Sequence, residues 1–235
     1  MIRIAVCDDE AILTAYFKEE IGKAFAAATP ALVEIDAYTS PLELLKNLKY
    51  DLIFLDIDMP EMDGFETAQK IADKDRNAVV VFISSHEHLV YKSFKYHPFS
   101  FVRKDYFESS ITEVAGALVN EIFDRRAEII LPTGEAVPYI DIAYIEVEDK
   151  MVAIHSLDGA STVYRCSLQV LENDLLQNGF VKVSKSAIVN LRYIMGAIDK
   201  QVTLKNNETV TVSRRLIHSV RERFAEYITE QLRKG

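Results

Sequence analysis

The sequence predicts a doubly wound α/β half followed by a mostly β half, and three observations carry that expectation. Over the first half, short apolar runs alternate with segments of helical spacing, at the pace of a βα repeat. Near Ala127 that pace stops, and short strand-like runs separated by Gly and Asp turns take over. Charge divides at the same place. Residues 1–128 hold 14 Lys+Arg against 23 Asp+Glu, a formal −9, whereas residues 129–235 hold 13 of each. With 235 residues the chain has enough length to bury two cores, and the expected domains are 1–126 and 127–235.

In the first half the elements follow in order. Ile2 to Val6 reads as a strand running into Cys7-Asp8-Asp9-Glu10. Leu13, Phe17, Ile21 and Phe25, four apart, predict a helix over 11–28. Val33 to Tyr38 is the second strand, and Ser40-Pro41 predicts a capped helix through about Leu48. Leu52 to Leu55 is apolar on both faces, which suits a strand buried in a parallel sheet, with Asp56 at its carboxyl end. Met59-Pro60 turns the chain out of the sheet, and Gly64 supplies a permissive backbone near Asp56 before a helix that starts after Asp63. Val79 to Ile83 ends at Ser84-Ser85, a helix is predicted from Leu89 to Lys95, Phe99 to Arg103 ends at Lys104, and a last helix runs from Phe107 to Arg126. Five such repeats make a flavodoxin-like sheet.

The chemistry lies at the strand ends. Open parallel sheets bind ligands at the carboxyl ends of their strands. A single Asp there is ordinarily a cap or a solvated charge. Two clusters change the reading: if the first and third strands are neighbours, Asp8, Asp9 and Asp56 converge. Three carboxylates repel one another unless a cation sits among them, and an oxygen-lined site suits Mg2+. Ser84 and Lys104 add a hydroxyl and an ammonium, the donors a phosphoryl group on Asp56 would need. The reaction suggested is attack of an Asp carboxylate on a phosphoryl donor, giving an acyl phosphate.

With these residues in place, positions 1 to about 125 resemble the receiver domain of two-component response regulators. The resemblance implies that Asp56 is the phosphoacceptor and that Asp8 and Asp9 are the acidic pair holding Mg2+. The backbone carbonyl of Asp58 would complete the metal's protein ligands. Ser84 stands at the switch hydroxyl, Phe101 at the switch aromatic and Lys104 at the conserved-role lysine. One departure matters: the family usually has Pro after that lysine, commonly through a cis bond, and this chain has Asp105. A cis bond before Asp would cost about 3 kcal/mol, so a trans or more mobile loop is expected.

The second half reads as strands over 128–131, 136–139, 142–147, 152–156 and 161–165, with Gly134, Asp149-Lys150 and Asp158-Gly159 as turns. A helix starts at Ser167, striped by Leu168, Leu171, Leu175 and Leu176, and ends at Asn178-Gly179. Strands follow over 180–183, 187–190, 195–199, 201–204 and 209–212, and a final helix begins at Ser213. Within 182–223 there are nine basic residues against three acidic ones. No helix-turn-helix with a basic recognition helix is visible. Instead Ile145-Glu146, Ser167-Leu168, the run from Phe180 to Asn190, and Val212-Ser213-Arg214-Arg215 resemble the LytTR DNA-binding domain, over about 128–230. That family is a β-sheet fold that reads DNA with loops. The resemblance implies contacts by Lys150, Lys185 and Arg214, with Arg215 beside it. Arg can bond a guanine edge in two places, and Lys can meet phosphate or guanine.

Other features exclude more than they suggest. No apolar run approaches the roughly 20 residues needed to cross a bilayer, and no signal peptide is expected. Cys7 and Cys166 form no CxxC pair, so reduced thiols of a cytoplasmic protein are expected. His86, His88, His97, His155 and His218 show no metal-ligand spacing. The aromatics from Tyr91 to Phe107, interleaved with bases, read as part core and part cover of the face beside the switch residue rather than a single-strand platform.

The expected function is a transcriptional regulator. A sensor histidine kinase phosphorylates it, it is a homodimer when phosphorylated, and it binds repeated sites on double-stranded DNA without acting as an enzyme on other substrates. Two alternatives fit less of the sequence. One is a haloacid-dehalogenase-type phosphatase, which shares the spacing of Asp56 and Asp58. The other is a receiver working through protein contacts alone.

Overall fold

The computed structural model describes residues 1–86, 88–96 and 98–234, with the side chains of Phe94 and of residues 232–234 outside that description. His97 of the five histidines and the Phe94 ring of the aromatic segment therefore lie outside the described residues. The chain divides into two compact units, Met1–Phe123 and Asp124–Gly235.

The first unit alternates strand and helix: β1 (Ile2–Cys7), α1 (Ala11–Ala28), β2 (Val33–Tyr38), α2 (Pro41–Lys46), β3 (Leu52–Asp56), α3 (Gly64–Lys74), β4 (Val79–Ser84), α4 (Leu89–Ser93), β5 (Ser100–Arg103) and α5 (Phe107–Arg126). All five strands are parallel, in the order β2-β1-β3-β4-β5, so the strand order reverses beside β1. Period-two alternation divides each strand between two cores. Ile4, Val6, Leu52 and Phe54 pack on one face with Phe17, Ile21 and Leu118. Ala5, Cys7, Ile53 and Leu55 pack on the other with Leu44, Phe65 and Ile71. Helices cover both faces because the inner strands β1, β3 and β4 are apolar on both, whereas the edge strand β2 turns Glu34 and Asp36 to solvent.

Two elements depart from expectation. Ser40 does not cap α2; its hydroxyl donates to Glu61 Oε2 at 2.6 Å, and the helix stops at Lys46 rather than Leu48. The predicted helix to Lys95 breaks after Ser93 into a 3-10 turn, Phe94–Tyr96. Within it the Ser93 hydroxyl donates to Val90 O at 2.7 Å, a local bond that competes with the helical ladder.

The second unit is antiparallel: β6 (Glu128–Ile130), β7 (Ala136–Pro138), β8 (Tyr144–Glu148), β9 (Met151–His155), β10 (Ser161–Tyr164), α6 (Leu168–Gln177), β11 (Phe180–Lys182), β12 (Ala187–Asn190), β13 (Ile194–Ile198), β14 (Gln201–Leu204), β15 (Thr209–Thr211) and α7 (Ile217–Lys234). Its main sheet has the order β10-β9-β8-β12-β11, and β13-β14-β15 and β6-β7 form smaller sheets. One face of the main sheet buries Ile145, Val152, Ile154 and Ile188 under Leu168, Leu171 and Leu175 of α6. Ala187 and Val189 belong to the other core, with Val202, Leu204 and Val220. Asn190 is buried within the fold: its side-chain amide donates to Tyr139 O at 3.0 Å and Ile142 O at 2.9 Å, and its Oδ1 accepts from Arg192 N. The final helix begins at Ile217, four residues after the predicted start. Ser213 N–H is drawn to Val183 O at 2.8 Å, and the first turn closes only when Leu216 N–H bonds Ser213 O.

Candidate phosphoacceptor site and DNA interface

β1 and β3 are hydrogen-bonded neighbours, so their carboxyl ends lie side by side. One carboxylate oxygen each from Asp8, Asp9 and Asp56 lie within 4.8 Å of one another. Asp8 is fully buried and Asp56 is 1% exposed, while Asp9 reaches solvent. β5 delivers Lys104, whose Nζ stands 2.6 Å from Asp8 Oδ2 and 3.1 Å from Asp56 Oδ2. The contact with Asp8 is an ion pair without hydrogen-bond alignment. Asp8 Oδ2 is thus a buried oxygen with a charge beside it and no directed donor. Such an oxygen, in an all-carboxylate set, fits a hard divalent cation.

Backbone geometry holds Asp56 in place. Its Oδ1 accepts from Ile57 N–H at 2.9 Å, and the Asp58 backbone also bonds the carboxylate. Gly64 N–H bonds Ile57 O at 2.9 Å, and a Cβ on Gly64 would sit 2.2 Å from Asp56 O, so only glycine lets α3 start this close. Asp63 caps that helix by accepting from Glu66 N–H at 2.7 Å. Burial pushes the Asp56 carboxyl up to about 6 from 3.8; Lys104 pulls against this and Asp8 adds to it. Burial works to lower the Lys104 ammonium, but Asp8 and Asp56 outweigh it and raise the group. Cys7, buried next to Asp8 and directed at Met59 Sδ, is pushed up to about 12 by burial and by the neighbouring carboxylates, so it stays a thiol.

The remaining expected residues ring this cluster. Ser84 ends β4, fully buried, and its Oγ accepts from His86 N–H at 3.0 Å. Phe101 pairs across from Phe82 and is half-buried. The Asp58 side chain is exposed, 3.6 Å from His86 Nε2. No cis peptide occurs among the described residues, so Lys104 and Asp105 are joined in trans; Asp105 pairs with Arg103 at 2.8 Å. Of the aromatic segment, Phe107 is buried, Tyr96 stacks on Phe65, and Tyr91 and Tyr106 are exposed. The sequence offered no sign of the Ile57 and His86 backbone donors, because peptide N–H groups leave no residue-type signal.

In the second unit the expected DNA contacts gather at one end of the sheets. Lys150 sits in the β8–β9 turn, where Asp149 and Lys150 both have positive φ, 46° and 67°. Lys185 sits exposed in the β11–β12 turn, which Ser184 shapes by accepting from Ser186 N–H at 3.1 Å. Ser186 O accepts from Val147 N–H, joining that turn to the end of β8. The Ser213–Val183 bond brings the segment carrying Arg214 and Arg215, both exposed, to the same turn. Nearby, Glu146 Oε1 and Glu148 Oε1 lie 3.3 Å and 3.9 Å from His155 Nε2, counter-charges for that ring when it is protonated.

Family models match this chain in two places. The response regulator receiver domain matches residues 4–115, and the LytTr DNA-binding domain matches residues 134–225. The chain is a LytTR-type response regulator. Among curated relatives, an uncharacterised response regulatory protein of Vibrio cholerae is 25% identical, over 83% of this chain and 85% of that one. The sensory transduction protein LytT of Bacillus subtilis is 24% identical, over 83% and 85%. The transcriptional regulatory protein BtsR of Escherichia coli is 22% identical, over 94% and 98%. The regulator couples a phosphorylation-controlled receiver to a DNA-binding domain. Among its described residues no helix is long and apolar enough to cross a membrane.

Proposed function

We propose that Asp56 is the phosphoacceptor of this regulator, that a sensor histidine kinase supplies the phosphoryl group, and that the phosphorylated protein is a homodimer binding repeated sites on double-stranded DNA. The observation that carries this reading is the meeting of Asp8, Asp9, Asp56 and Lys104 at adjacent strand ends. The proposed domains are 1–126 and 127–235, working in the cytoplasm.

In the transfer, an Asp56 carboxylate oxygen attacks phosphorus, the P–N bond of the donor phosphohistidine breaks, and its electron pair leaves with the imidazole. Asp8, Asp9, Asp56 and the backbone carbonyl of Asp58 would hold Mg2+, which when bound offsets charge on the phosphoryl oxygens. Lys104 is already within reach of Asp56, and it trades its carboxylate contacts for a phosphoryl oxygen. Ser84 Oγ accepts from His86 and keeps its own proton to donate to a second oxygen. Phe101, half-buried beside it, follows Ser84 inward. The added charge of about −1.5 to −2 biases this two-state surface toward the dimer. Any turnover is limited to self-phosphorylation and self-dephosphorylation at Asp56. On the DNA side, Lys150, Lys185, Arg214 and Arg215 supply the contacts.

The test titrates labelled genomic duplexes, captured with the wild-type protein, against wild type and Asp56→Asn, each with and without acetyl phosphate. Wild-type affinity should rise with the donor while Asp56→Asn stays put. An equal rise in both proteins would remove Asp56 from the mechanism.

A further inference from the structure

We propose that Arg165 is a further DNA-contacting residue, gripping a backbone phosphate at the mouth of a basic groove that continues the interface formed by Lys150 and Lys185. The proposal rests on the DNA-binding reading and deepens it. The groove, about 920 Å3, lies between the end of the main sheet and α6, with Lys150, Arg165, Lys182 and Lys185 on its walls. Among the described residues Glu172 is the one acid lining it, and that carboxylate is taken up by Lys182 at 2.6 and 2.7 Å. Lys150, Arg165 and Lys185 have no carboxylate partner among the described residues, so three cations face one opening uncompensated. An isolated surface base proves nothing. Three converging on one concavity attract a polyanion.

Strand register explains why they converge. Tyr164 pairs with Val152, so Arg165, one residue on, comes level with Met151 and the Lys150 turn. Ala187 pairs with Glu146, and Ser186 O accepts from Val147, so Lys185 comes level with the other side of that turn. Arg165, Lys150 and Lys185 therefore stand in a row across the end of adjacent strands. At a strand spacing of about 4.8 Å, the row spans roughly 15 to 20 Å. Successive phosphates of one DNA strand rise about 3.4 Å along the axis and lie farther apart through space, so a row of that length can meet several of them. The planar guanidinium of Arg165 can take two oxygens of one phosphate, which Lys cannot do. Phosphate contacts fix position rather than sequence, so Arg165 sets the docking register while the loop residues reach base edges.

The test measures binding of the full chain to a fixed 30-base-pair duplex of arbitrary sequence by anisotropy, over a salt series from about 50 to 200 mM. Wild type is compared with Arg165→Ala, Arg165→Lys and, as a charge control distant in sequence on the exposed side of α1, Lys18→Ala. Loss of one phosphate contact lowers the slope of log affinity against log salt by about 0.9, equivalent to about a threefold smaller loss of affinity across that series. The expected result is that reduction for Arg165→Ala, weaker binding at low salt, partial recovery in Arg165→Lys, and a wild-type slope for Lys18→Ala. A wild-type slope and affinity for Arg165→Ala would overturn the Arg165 assignment and leave DNA binding standing. The same drop in Lys18→Ala would reduce the effect to net charge and overturn it too. Failure of wild type to bind any duplex would fell the DNA-binding reading together with this proposal.

Discussion

Asp56 is held where an ionised carboxylate is costly, because burial raises its pKa to about 6 even with Lys104 3.1 Å away. The consequence for stability has a definite sign. Unfolded, the group loses its proton near 3.8, while folded it keeps it to about 6. Between these values the folded chain binds the extra proton, so its contribution is fully present below about pH 3.8 and is lost as pH rises through 6. Asn resembles the protonated form and still leaves Asp8 to pair with Lys104. In the chelator-treated protein at pH 7, Asp56→Asn should therefore unfold at higher denaturant, by a free energy on the order of 2 to 3 kcal/mol, and flatten the decline between pH 4 and 6. Denaturation curves at several pH values check this; a variant no more stable than wild type would mean that burial of the charge is already compensated. Asn190 shows the opposite use of a polar residue. It stands in a run that resembles a DNA-reading family, yet its amide is spent bracing Tyr139 O and Ile142 O inside the fold. Residue type alone did not separate that brace from a residue proposed to contact DNA, such as Lys185.

At the scale of elements, the β8–β9 turn sets stability against contact. Asp149 and Lys150 take positive φ, as a tight two-residue hairpin turn demands, and a lysine in that region carries strain of about 1 kcal/mol that glycine escapes. Lys150→Gly should stabilise the domain by about 0.5 to 1 kcal/mol while weakening DNA binding, a separation readable by thermal unfolding beside a duplex titration. A variant that loses stability and affinity together would show the turn needs the Lys150 side chain for its shape. The alternation that made β1 to β5 and α1 legible is a local signal, since each buries a fixed period against a core. Turn residues were legible for the same reason. Caps were legible only in part: Ser167 caps α6 and Asp63 caps α3 where the sequence put those starts, but Ser40 gives its hydroxyl to Glu61, 21 residues away, and the start of α7 depends on a bond from Ser213 to Val183. Strand pairing was equally hidden. β8 pairs with β12 some forty residues later, which is what sets Lys185 beside the Lys150 turn and places Arg165 in the same row. Arg165 also lies outside the basic stretch 182–223, so charge counting passed over it.

Across the whole molecule, charge and chemistry are divided by unit. The acidic first half carries the carboxylate cluster, and the second, formally neutral, sets Lys150, Arg165, Lys182 and Lys185 around one groove. A domain with so few contacting loops gains little from a single site, whereas two copies on two sites gain from proximity, because the second contact becomes intramolecular. Phosphorylation then need not alter any DNA contact; it need only favour the dimer. Affinity for a duplex with one site should therefore change little with acetyl phosphate, while affinity for two correctly spaced sites should rise by about 100-fold. Inserting about five base pairs between the sites turns the second to the opposite side of the helix and should remove most of that gain. Asp56→Asn should show the one-site affinity on every duplex. Mobility-shift titrations on the one-site, two-site and half-turn duplexes separate the effects. A donor-dependent rise of equal size on the one-site duplex would mean that phosphorylation remodels the DNA-binding unit itself, and the dimer would then be incidental to control.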